Sequence, residues 1–139
     1  MKERKKFQRG IALFNARKFF EAHEVWEELW LLEPEPDRIF LQGLIQLAAA
    51  FHHYSRGNSR GAESLLAAGI VKLGRFPGNH HGLALAEFRA AAKQWARMLG
   101  ARNDPGLRKL PQIHPMRPAA RRKQSGRKSC RRKSRRALR

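Results

Sequence analysis

Cysteine is almost missing from this chain of 139 residues: the single thiol, Cys130, sits near the C-terminus, so no disulfide can form within one chain. No apolar run approaches the roughly 18 residues that a membrane span needs. The charged opening MKERKKFQRG is followed by no long apolar stretch, which argues against a signal peptide and for a cytoplasmic protein. Strand-like alternation of useful length is absent from residues 1–100. Acidic residues are nearly absent from the end: residues 102–139 hold 15 Lys/Arg against one acid, Asp104, whereas residues 1–101 hold 15 against 10. The net charge of +19 therefore mostly describes a tail. We divide the chain into a domain over 1–101 and a basic tail over 102–139. The tail has prolines at 105, 111, 115 and 118 and few large apolar residues, so it is expected to be disordered and to lack a packed core.

What is there is helical periodicity. Apolar spacing predicts an all-α bundle of about five helices, over about 3–14, 19–32, 37–56, 59–75 and 83–99. Pro34 and Pro36 stop the second helix, and Asp37 is placed to cap the third. The third is apolar almost all round, which marks a central element. A weak repeat sets FNARKFFEA (14–22) over YSRGNSRGA (54–62), 40 residues apart. Each copy ends one helix on an aromatic, turns, and brings an alanine early into the next. The pattern predicts stacked antiparallel hairpins of the tetratricopeptide kind.

The second helix contains EAHEVWEELW (21–30), with four carboxylates, a histidine and two tryptophans. On a helical wheel Glu21, Glu24 and Glu28 share one solvated sector. His23 lies beside Trp30, Glu27 lies just beyond it, and Phe20 beyond Glu27. Apolar neighbours on both sides predict that His23 and Glu27 point inward. Their i, i+4 spacing lets them touch, as a structural buried pair or as metal ligands. The pattern is not the HExxH of zinc peptidases. On the third helix Gln42, Gln46, Ala49 and His53 form a polar stripe, and antiparallel packing would turn Gln46 and His53 toward His23 and Glu27. His52 is expected to point elsewhere.

The segments FNARKFFEAHEVWEELW and RIFLQGLIQLAAAFHHYSRGNSRGAESLLAAGIVKL resemble the prokaryotic domain-of-unknown-function family 309, over about residues 9–75. The resemblance implies a helical fold and an H-x-x-x-E-x-x-W/Y motif, here His23, Glu27 and Trp30. It also implies a metal-binding role, with no reaction attached. The basic tail is not part of the pattern.

Three functions follow. The first is a divalent-metal or other polar site on His23 and Glu27, with His53 as a further ligand and Trp30 and Gln46 lining it. The second is a helical-hairpin module for a protein partner, with His23 and Glu27 as a structural pair. The third is nonspecific nucleic-acid binding through Arg121, Arg122, Lys123, Arg131, Arg132 and Lys133. The tail from residue 121 has no aromatic residue, so phosphate neutralisation is the contact left to it. Cutting the chain after Gly100 or Ala101 is then expected to leave the fold intact and remove salt-sensitive binding.

Overall fold

The computed structural model describes residues 3–106 and 109–116. Among these described residues five α-helices follow one another: α1 (Arg4–Asn15), α2 (Phe19–Leu32), α3 (Asp37–Ser55), α4 (Ser59–Leu73) and α5 (Leu85–Gly100). A 3-10 turn, His80–Gly82, lies between α4 and α5. Each α-helix packs against the next in sequence, as short connections between antiparallel neighbours require. Among the described residues none of the helices is long and apolar enough to cross a membrane.

The centre is α3, ten of whose residues are buried. Aromatic rings fill the space around it. Phe14 meets Phe19, Phe51 and Phe88 edge-on at 5.1–5.9 Å between centroids. Trp26 is fully buried and donates its indole N–H to the Phe7 carbonyl. Glycines let α3 and α4 approach closely: a Cβ on Gly69 would lie 2.9 Å from the Gly43 oxygen.

The weak repeat is a real structural repeat. Ala22 and Ala62 are both fully buried where consecutive helices cross, and Phe14 and Tyr54 are both buried. Arg17 (φ 67°) and Gly57 (φ 87°) occupy the left-handed region at matching positions. The next amide closes back on the helix in the same way: Lys18 N–H to Leu13 O, and Asn58 N–H to His53 O, both at 2.8 Å. This pairing satisfies the last helical carbonyls. The second copy adds an N-cap, since the Asn58 side chain accepts from Gly61 N–H at 3.0 Å.

Two expectations need correction. Asp37 does not cap α3: Pro36 holds that position, Asp37 is the first helical residue, and its carboxylate turns instead to His81. The chain beyond Asn103 also does more than leave the domain. Residues 109–116 form a strap in which Leu110 and Ile113 are buried in the common core. Asn15 clasps Ile113 from both sides, donating to its carbonyl (2.9 Å) and accepting from its amide (2.8 Å). Trp95 donates its indole N–H to Lys109 O at 2.8 Å. Met116 N–H reaches Gly82 O, and Ala84 N–H reaches His114 O, both at 2.8 Å. Two large aliphatic side chains among prolines were enough, because each buried one contributes about 1.5–3 kcal/mol. Strand-like backbone pairing replaces the missing helix.

Candidate functional site

α2 and α3 run antiparallel, and one side of their contact forms a seam. Phe20, early in α2, lies 5.4 Å from the His52 ring late in α3. At the other end the Arg38 guanidinium stacks 4.0 Å over Trp30. His23, Glu27 and Trp30 follow each other along α2 between these ends, and Gln42 and Gln46 do so along α3.

Four side-chain atoms on the facing helices α2 and α3 are buried without a hydrogen-bond partner: His23 Nδ1, Trp30 Nε1, Arg38 Nε and Gln46 Oε1. Such groups ordinarily find partners, because leaving one unpaired costs about 1–3 kcal/mol. The other two tryptophans each donate to a backbone carbonyl. The inward turn predicted for His23 is therefore correct to the extent of a half-buried ring stacked on Phe20 at 6.1 Å.

Glu27 is different, since it is exposed. The inference of burial used Phe20 as an apolar neighbour, but Phe20 is itself 50% exposed, so that edge of the arc faces solvent. Glu21, Glu24 and Glu28 point outward as predicted, and Glu28 meets Lys6 at 3.0 Å. His53 does not join the seam; its Nδ1 lies 3.3 Å from the Asn58 amide, at the α3–α4 turn. His52 does join it, against expectation, through Phe20. Burial, ahead of the nearby Arg56 charge, lowers the His52 pKa below the usual imidazole value. Lys123, Arg121, Arg122, Arg131, Arg132 and Lys133 lie outside the described residues.

A second polar cluster was not expected. Asp37 at the start of α3 meets His80 and His81 from the 3-10 turn. Among the described residues this is the one group of three metal-capable side chains that the fold gathers, with ligand atoms all within 4.8 Å of one another. His23, Glu27 and His53 form no such triad. The sequence signal was the HH pair in FPGNHHG, whose role depends on a partner more than 40 residues earlier. Burial, ahead of the His81 charge, lowers the His80 pKa.

The motif and its helices now have a place. Residues 7–65 match the family described as "Domain of unknown function (DUF309)". The DUF309 match thus covers most of α1, all of α2 and α3 and the first part of α4, and with them the whole seam. The chain is also similar to two curated proteins. An "Uncharacterized protein" of Aquifex aeolicus (strain VF5) is 32% identical over 78 residues, 55% of this chain and 23% of that protein. The "Uncharacterized protein YpuF" of Bacillus subtilis (strain 168) is 44% identical over 55 residues, 39% of this chain and 32% of that protein. The matched segments span less than a third of either relative's length. Asp37 lies inside the DUF309 segment; His80 and His81 lie beyond it.

Proposed function

We propose that the DUF309 segment works by binding, and that its site is the α2–α3 seam, where His23, Trp30 and Gln46 receive a polar ligand with Glu27 at the rim. The supporting observation is the four partnerless buried atoms on the facing helices α2 and α3. Their chemistry narrows the ligand. Trp30 Nε1–H and Arg38 Nε–H can only donate, Gln46 Oε1 can only accept, and His23 Nδ1 can do either. A ligand carrying both acceptors and a donor answers all four, and a peptide segment is the simplest such ligand. Phe20 (50% exposed) and Leu31 (67%) lie on the same outer edge of α2 as Glu27, and they suit apolar side chains of a peptide segment.

A second reading keeps a divalent ion on His23 and Glu27. The free Nδ1 and the i, i+4 spacing favour it, but it gives Trp30 no part, because a cation cannot use an N–H donor.

The three tryptophans make the test direct, since each gives its own indole N–H signal in a 15N-labelled sample. A short end-blocked peptide should shift the Trp30 signal and leave Trp26 and Trp95, already bonded to carbonyls, in place. Zn2+ that perturbs the His23 ring while the peptide moves nothing would support the ion instead. If neither probe touches His23 or Trp30, the seam is not a binding site.

A further inference from the structure

We propose that Asp37, His80 and His81 form a binding site for a divalent transition-metal ion of the zinc class, separate from the seam and with both histidines beyond the family match. Two imidazole nitrogens and one carboxylate oxygen are the donor set such an ion takes, with a position left for water. Asp37 Oδ1 lies 2.8 Å from His81 Nε2 and 3.6 Å from His80 Nε2. Ligands on one tetrahedral ion with bonds of about 2.0–2.1 Å stand about 3.3 Å apart. The two observed separations bracket that value, so small rotations of the side chains would admit the ion.

A plain hydrogen-bonded clamp explains less. One imidazole N–H suffices to hold Asp37, and His81 supplies it. His80 Nε2 is then left over, buried and without a partner, though it faces the same oxygen. An ion shared by all three removes that cost. The side chains are 17–22% exposed, which leaves solvent a path to the site. Phe40 and Phe76 wall the His80 ring at 4.7 Å each, and Phe7 lies 5.9 Å from the His81 ring. These rings fix the ligands and lower the local dielectric.

The fold holds the turn in this form. His81 has φ 52°, unusual for a residue with a side chain, and the conformation puts the two adjacent rings 4.4 Å apart instead of on opposite sides. The strap bonds Gly82 and Ala84 on its far side. Arg4 donates to the His81 carbonyl at 3.5 Å and is the charge that opposes a cation here.

The test is a Co2+ titration of the full chain in a Cys130→Ser background, read by visible absorption and followed by Zn2+ competition. The expected result is one equivalent of Co2+ with ligand-field bands, displaced by Zn2+. Asp37→Asn and His80→Ala should each weaken it by at least about tenfold, while His23→Ala leaves it unchanged. Circular dichroism and a melt establish that each variant is folded. The His80 side chain makes no hydrogen bond, so His80→Ala decides the matter should Asp37→Asn not fold. The proposal is overturned if the folded parent protein gives no Co2+ bands, or if His80→Ala keeps them at full affinity. It is equally overturned if they vanish only in His23→Ala, a result that would place the ion in the seam.

Discussion

Replacing Gln46 with methionine should stabilise the free protein, although it removes a polar group from a half-buried helix position. Gln46 Oε1 is buried without a partner, which costs about 1–3 kcal/mol relative to a paired or apolar group. Turning the amide over would not help, because Nε2 would then occupy the same pocket. Methionine has nearly the same length and helix propensity, so neither packing nor backbone preference opposes the change. The expected gain is about 1–2 kcal/mol. For a domain near 100 residues, each 1 kcal/mol raises Tm by about 4–8 °C. Gln42 lies one turn earlier on the same stripe and has no stranded atom, so Gln42→Met should stay within about 0.5 kcal/mol. Differential scanning calorimetry of the two variants makes the comparison. A Tm for Gln46→Met equal to or below that of the parent would mean that water already satisfies the amide in solution, and the strongest support for the seam as a binding site would fall. If the gain appears, the same variant should also bind the peptide probe more weakly, because the atom that costs stability is the one offered to the ligand.

Other outcomes are equally definite. Gly10→Ala should lose about 1–3 kcal/mol, because an added Cβ would lie 2.6 Å from Trp26 Cδ1 and Cε2, and the rigid, fully buried ring cannot yield; the helix-propensity gain of about 1 kcal/mol is smaller than the clash. A chain ending at Met116 should melt with the full chain, whereas one ending at Ala101 should melt lower for want of Leu110 and Ile113, and equal melting of all three would refute the strap. The 116-residue chain should also lose the salt-dependent part of any DNA binding, since residues 117–139 carry 12 Lys/Arg and no acid; unchanged affinity at low salt would exclude the tail. The Tyr54 hydroxyl bonds the Asp104 carboxylate, and the pair predicts stability losses at both pH extremes. That bond holds Asp104 below its usual pKa, so the unfolded chain takes up its proton first and stability falls as pH drops below about 4. Burial, ahead of the Asp104 bond, raises Tyr54, so the unfolded chain ionises first and stability falls as pH rises past about 10. Tyr54→Phe should abolish the alkaline contribution and shrink the acid one, as followed by urea unfolding across pH.

What could be read from the sequence depended on range. The helices were legible because their stripes repeat every three to four residues, and the hairpin repeat because its turn chemistry is local: Arg17 and Gly57 fold back on the helix behind them with the same bonds. The seam was half legible. A wheel orders side chains around one axis but cannot say how far a neighbouring helix extends over them. Thus His23 turned inward as expected, while Glu27, one turn along, stayed in solvent beside the exposed Phe20. The strap and the Asp37–His80–His81 cluster depend on pairings 98 and 44 residues apart, Asn15 with Ile113 and Asp37 with His81, which no periodicity encodes. They are also connected. The strap bonds the backbone of Gly82 and Ala84, immediately after the two histidines. A segment that composition alone assigns to a solvated tail therefore helps to hold the ligands of the proposed ion site. It follows that a chain cut at Ala101 should lose Co2+ affinity even at temperatures where its helices remain folded, whereas a chain cut at Met116 should keep it.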